Sequence, residues 1–146
     1  MINNSKRGFT LVELLVVITI IGILATVALV SLNSARAKAR DAKRLGDIRQ
    51  VSLALEFCYN EGDKYLPVSE FPVAGAPFIC NETTYISGMP SDPSGGNYTY
   101  AVDNESDPQK YVLSAKLETN HTALNADTDG TVYDVDCEDP VYCLVP

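Results

Sequence analysis

At 146 residues the chain has room for one modest domain and an extension, and its formal net charge of −8 is unevenly placed. Residues 1–50 hold eight Lys and Arg against three acids, a balance of +5, whereas residues 51–146 hold Lys64, Lys110 and Lys116 against sixteen acids, a balance of −13. So acidic a C-terminal part argues against nucleic acid as its main ligand and predicts a well-solvated head.

The first predicted element is apolar. From Phe9 to Leu32 the sequence reads FTLVELLVVITIIGILATVALVSL, 24 residues in which Glu13 is the one ionisable side chain. As a helix this run measures ~36 Å, enough to cross the ~30 Å hydrocarbon core of a bilayer. A carboxylate inside such a segment costs several kcal/mol unless it is neutralised or paired, which marks Glu13 as functional; a protonated or groove-facing glutamate is the bland alternative. The segment is not preceded by an ordinary secretory leader. Lys6-Arg7 is followed at once by Gly8, so the small residue stands before the apolar run and not after it. Cutting there would remove a short polar leader and leave the whole apolar helix on the mature chain.

That arrangement, KRGFTLVELLVVITIIGILATVAL, resembles the class III leader of type IV prepilins and of the related pseudopilins of type II secretion. The resemblance covers residues 6 to about 32. It implies cleavage between Gly8 and Phe9 by a membrane-embedded prepilin peptidase and N-methylation of the new terminus at Phe9. It places Glu13 at the fifth mature residue, where the family's glutamate pairs with the N-terminus of a neighbouring subunit during assembly. A buried pair of that kind also sets register, because a subunit without its partner leaves an uncompensated charge. The proline that many pilins carry late in the segment is replaced here by Val30, although Gly22 remains as a weak point.

The implied organisation is a leader over 1–8, a transmembrane and filament-core helix over 9–32, an amphipathic continuation over 33–59 and a globular head over 60–146. In the continuation Leu45, Ile48, Val51 and Leu55 share one stripe, which predicts a helix closing the core of a sheet; Leu53 and Phe57 lie off it and are left for a neighbouring subunit. The basic cluster Arg36, Lys38, Arg40, Lys43 and Arg44 has alanines between its charges, not aromatics, so it offers no base-stacking platform. Acidic heads of neighbouring subunits or phospholipid head groups are its expected partners.

Gly62 and Pro67 end the helix, and the prolines at 67, 72, 77, 90 and 93 make residues 60–96 a long connection. Within it MPSDPSGGNYTYAVD resembles the segment before the sheet in major pseudopilins, with Ser94 where those have a tryptophan. Alternation at Tyr98, Tyr100 and Val102, and at Tyr111, Leu113, Ala115 and Leu117, predicts two strands, with a third near Val132–Val135. The expected fold class is α+β: a helix of ~50 residues, ~75 Å long, on a small antiparallel sheet, pilin-like.

Four cysteines beyond a membrane segment, at 58, 80, 137 and 143, suggest two disulfides in an oxidising compartment. Of three connectivities, Cys58–Cys80 with Cys137–Cys143 closes the shortest loops. Zinc is disfavoured, since no CxxC pair is present and His121 is the one histidine. The same lone histidine leaves no catalytic constellation, and no enzyme activity is expected.

Asn125, Asp127 and Asp129, then Gly130, Thr131 and Asp136, follow the spacing of a twelve-residue calcium loop: oxygen ligands at positions one, three and five, glycine at six, a backbone carbonyl at seven and an acid at twelve. Calcium is the expected cofactor; an acidic solvated turn is the competing reading.

Taken together, these residues describe a structural subunit of a type IV pilus-like filament. It would be inserted once in the inner (cytoplasmic) membrane, cut by the peptidase and passed by an assembly platform into an extracellular fibre of identical or homologous subunits. The alternatives are a major pseudopilin of type II secretion and, in another class, a membrane-anchored calcium-dependent binding protein.

Overall fold

The computed structural model describes residues 8–146 apart from the side chain of Val30. The remainder of the leader expected over 1–8, and the Val30 side chain at the proline position, lie outside the described residues. The chain divides into two compact units, one up to Arg36 and the other Ala37–Pro146.

The first unit is the N-terminal part of helix α1, which spans Leu11–Gly62. Its hydroxyls are satisfied within the helix, Thr19 donating to the Leu15 carbonyl at 2.8 Å and Thr26 to that of Gly22 at 2.9 Å, so neither carries an unmet polar group into an apolar setting. Its large apolar side chains from Phe9 to Leu32, Val30 apart, are 44–78% exposed. By length and composition it can cross a membrane.

The second unit begins with the rest of α1. Leu45, Ile48, Val51 and Leu55 are buried, the stripe expected from their spacing; Cys58 is buried beyond them, Tyr59 packs against the core that Ile48, Val51, Leu55 and Cys58 share, and Leu45 packs with Leu117 and Leu124. Asp63 ends the helix in the left-handed region (φ 55°), its N–H reaching the Tyr59 carbonyl at 2.8 Å. A single 3-10 turn follows at Val68–Glu70, then a hairpin of β1, Phe78–Cys80, and β2, Thr83–Ile86. Residues 60–96 are therefore not only a connection. Phe78 and Ile86 lie opposite each other and carry the hairpin into the core, although prolines on both sides hide its periodicity.

The main sheet has the order β3-β4-β7, all antiparallel: β3 is Thr99–Val102, β4 is Tyr111–Lys116 and β7 is Val141–Leu144. The strand expected near Val132–Val135 is instead a separate two-stranded hairpin, β5 Thr131–Val132 with β6 Val135–Asp136, turning through Tyr133 and Asp134 at positive φ. The third position in the sheet belongs to β7.

Central strand β4 is buried on both faces, which alternation alone does not predict. On one side Tyr111, Leu113 and Ala115 join the helix stripe; on the other Val112 packs with Cys137 and Cys143 beneath Val132, Tyr133 and Val135. The small hairpin is thus the lid of a second core layer.

Candidate functional site

Three constellations carry the chemistry. At the start of α1, Gly8, Phe9 and Thr10 precede the helix, and all three are exposed. Glu13 Oε2 accepts from the Thr10 N–H at 2.9 Å and from the Thr10 hydroxyl at 2.7 Å, while the Glu13 N–H donates to Thr10 Oγ1 at 3.2 Å. This reciprocal exchange is a capping box, in which Thr10 and Glu13 satisfy each other's orphan groups at the first turn. The T-x-x-E spacing of Thr10 and Glu13 is its signature in the sequence. Within one chain Glu13 therefore has a local partner only one turn away, and its exposed setting leaves it reachable by another.

The second constellation ties α1 to the loops of its own unit. Arg44 is buried, and its guanidinium is fully engaged. Nη1 donates to Asp41 Oδ1 at 2.8 Å and to Glu118 Oε1 at 2.7 Å; Nε and Nη2 grip Asp92 in a fork at 2.7 and 3.0 Å; Nη2 also reaches Ser94 Oγ at 2.7 Å. A fork of this kind is the geometry arginine offers and lysine does not. Asp41, equally buried, accepts from the N–H groups of Glu118 and Thr119, both at 2.9 Å, and from the Thr119 hydroxyl at 2.7 Å. Arg40 adds a second guanidinium to Glu118.

The loop that meets Arg44 is shaped for it. Gly95 and Gly96 adopt φ of 97° and 100°, the Gly95 N–H caps the Asp92 carbonyl at 2.8 Å, and the Ser94 N–H fixes Asp92 Oδ1 at 2.7 Å. The SDPSGG segment is thereby a receptor for a helix arginine. The acids respond as paired carboxylates do. Hydrogen bonds from Arg40 and then Arg44 hold Glu118 down to about 2, and Arg44 holds Asp92 below its ordinary range. Burial raises Asp41, but the Glu118 N–H, the Thr119 hydroxyl and Arg44 outweigh it and leave it lowered. The expectation that the whole basic cluster meets neighbouring subunits is corrected here for Arg40 and Arg44, which are committed inside their own unit.

The third constellation lies at the C-terminal end. Cys58 is joined to Cys80 and Cys137 to Cys143. Beside the second bridge, carboxylate oxygens of Asp127, Asp129 and Asp139 lie within 4.8 Å of one another. Asp127 Oδ2 accepts from the Cys143 N–H at 2.9 Å, while Oδ1 is buried with no hydrogen-bond partner among the described residues. Burial, with the like charges of Asp129 and Asp139, pushes the Asp127 carboxyl up. Such an orphaned oxygen among convergent carboxylates is the donor set a hard cation takes, so the residues fit calcium.

The ligand set read from the loop pattern is placed as follows. Asp127 and Asp129 come together. Asn125 ends a short 3-10 turn, and Thr131 faces Asp136 across the β5–β6 hairpin. Asp136 stands outside the carboxylate group and accepts from the Glu138 N–H at 3.2 Å. Asp139 takes the third place, three residues past the expected position. The β5–β6 hairpin takes up the second half of this twelve-residue stretch, so Asp136 does not join Asp127 and Asp129.

Comparison with known proteins gives the family. Residues 3–29 match the family described as the prokaryotic N-terminal methylation motif. The chain is 31% identical to the type II secretion system core protein G of Escherichia coli, over 70% of this chain and 76% of that protein. It is 35% identical to the protein of the same name from Klebsiella michiganensis, over 65% and 72%. It is 29% identical to the type IV major fimbrial protein FimA of Dichelobacter nodosus, over 82% and 68%. No solved structure matches it. With the capped apolar helix, the α+β head and these relatives in agreement, the chain belongs to the type IV pilin and type II secretion pseudopilin family of structural filament subunits.

Proposed function

We propose that the chain is cut between Gly8 and Phe9 by a prepilin peptidase, methylated at Phe9, and polymerised with copies of itself into a type IV pilus-like filament outside the cell. One observation carries this reading: an apolar helix surface from Phe9 to Leu32, whose described large apolar side chains are 44–78% exposed, that holds a single carboxylate at the fifth residue after the junction. Covering each such side chain is worth ~1.5–3 kcal/mol, so the helix is covered first by lipid and then by other copies. In the filament Glu13 exchanges its local Thr10 donors for the N-terminal amine of a neighbouring copy. Replacing Glu13 by Ala should abolish filaments while the head melts at its usual temperature; normal fibres from Glu13→Ala would refute the role.

A second reading, a pseudopilin of type II secretion, is favoured by the SDPSGG segment and by the relatives named for that system. Deleting the chain separates the two, since loss of an exported protein from the medium with no loss of surface fibres would select secretion. A membrane-anchored binding protein that never polymerises would leave Glu13→Ala without phenotype.

We further propose that Asp127, Asp129 and Asp139 hold Ca2+, which would neutralise their mutual repulsion and fasten the β5–β6 lid. Calcium should raise the melting temperature of the intact chain, and Asp127→Asn should remove that response. A melting temperature indifferent to calcium and chelator would refute the site.

A further inference from the structure

We propose that the outward face of α1 between Ala39 and Phe57 is a docking surface for the acidic head of a second copy of this chain. The inference rests on the filament reading and deepens it by naming which part of the head-bearing unit meets a neighbour. At ~100° per residue, Ala39, Gly46, Leu53 and Phe57 fall on one narrow arc, opposite Ile48 and Leu55 in the core. Ala39, Ala42 and Gly46 are exposed and give a low floor, while Leu53 and Phe57, 60% and 56% exposed, stand one turn apart at its end.

That end is organised, not a pair of stray side chains. Phe57 stacks on Tyr85 of β2 with ring centroids 5.9 Å apart and planes 4° from parallel. With Gln50, Leu53, Ala54 and Ile86 these rings line an open groove of about 220 Å³. Scattered surface hydrophobics need no explanation, but a stacked pair beside an apolar groove on a helix face is what partners cover.

Charge selects the occupant. Lys38, Lys43 and Arg49 are exposed around this face and make no ion pair among the described residues, whereas Arg40 and Arg44 are consumed inside the unit. Residues 51–146 balance at −13, so the head of a second copy is the complementary surface, and two like copies can meet through it without repulsion. Such a contact joins one face of a copy to a different face of the next, the head-to-tail arrangement that propagates as a fibre.

The test uses the full chain assembled in its own cells with the photoreactive analogue Phe57→p-benzoylphenylalanine. Irradiated filaments should yield a covalent dimer of the chain, with the attached peptide falling in residues 51–146 of the second copy. Because the analogue can itself block assembly, Lys38→Glu/Arg49→Glu provides the independent arm: filaments should be lost while the melting temperature of the head is unchanged. Intact filaments with no dimer, an adduct to a different protein, or double-variant filaments indistinguishable from the parent would overturn the docking face alone. Absence of filaments from the unsubstituted chain would instead defeat the filament reading on which the face depends.

Discussion

Arg44→Ala tests the packing of the head most severely. The substitution removes five hydrogen bonds at once and leaves Asp41, whose side chain is fully buried, facing the space the guanidinium filled. Breaking a buried ion pair by removing one partner costs ~3–5 kcal/mol. The lower end applies here. Asp41 keeps its three donors from Glu118 and Thr119, and Asp92 and Glu118, 16% and 32% exposed, can turn to water. For a unit of the size of Ala37–Pro146 a loss of ~3 kcal/mol lowers the melting temperature by about 10–18 °C. Arg40→Ala is the matched control. It also removes a guanidinium from Glu118, but the pair is open to solvent at 37% and 32%, and exposed pairs are worth at most ~1 kcal/mol. Thermal unfolding of the full chain in detergent, followed by circular dichroism, compares the two. Equal, small shifts for Arg44→Ala and Arg40→Ala would refute the argument that Arg44 locks the SDPSGG loop to the helix.

Two further outcomes follow from the same structure. Glu118, Asp92 and Asp41 all have lowered pKa values, Glu118 down to about 2, so their contribution to stability is present above ~4.5 and is lost as pH falls toward 2; Asp127, raised by burial, acts in the opposite sense, costing stability when ionised and ceasing to do so on acidification. An acid titration of the melting temperature should therefore fall steeply below about 4.5, and the fall should be shallower in Arg44→Ala. Removing Cys58–Cys80, which closes 22 residues, should cost ~3 kcal/mol against ~2 kcal/mol for Cys137–Cys143, which closes 6, as measured by denaturant unfolding of the paired Ser variants.

What the sequence revealed, and what it hid, divides along physical lines. The stripe from Leu45 to Cys58 was legible because a helix buries one face and the apolar spacing records it. The β3 and β4 strands were legible from alternation at Tyr98–Val102 and Tyr111–Leu117. The β1–β2 hairpin was not, because its strands are three and four residues long and prolines flank them. Long-range partners were the larger loss. Nothing near Arg44 in sequence indicates Asp92 or Glu118, 48 and 74 residues away, and an arginine among alanines reads as a solvated charge. The place of Asp139 beside Asp127 and Asp129 was not legible, because a loop pattern counts along the chain, whereas the β5–β6 hairpin turns at Tyr133 and Asp134 and leaves Asp136 outside that carboxylate group. Glu13, by contrast, could be located from sequence alone, because an isolated carboxylate in an apolar run is conspicuous without any structure.

The central claim is that Gly8-Phe9 is a processing junction that delivers the apolar helix, with Glu13 near its new end, into a filament. Mass spectrometry of the chain recovered from sheared or secretion-associated filaments tests it most directly. A mature species beginning at N-methylated Phe9, with four cysteines in two disulfides, is the predicted result. A filament-free chain that still begins at Met1 in cells with an active prepilin peptidase would contradict it.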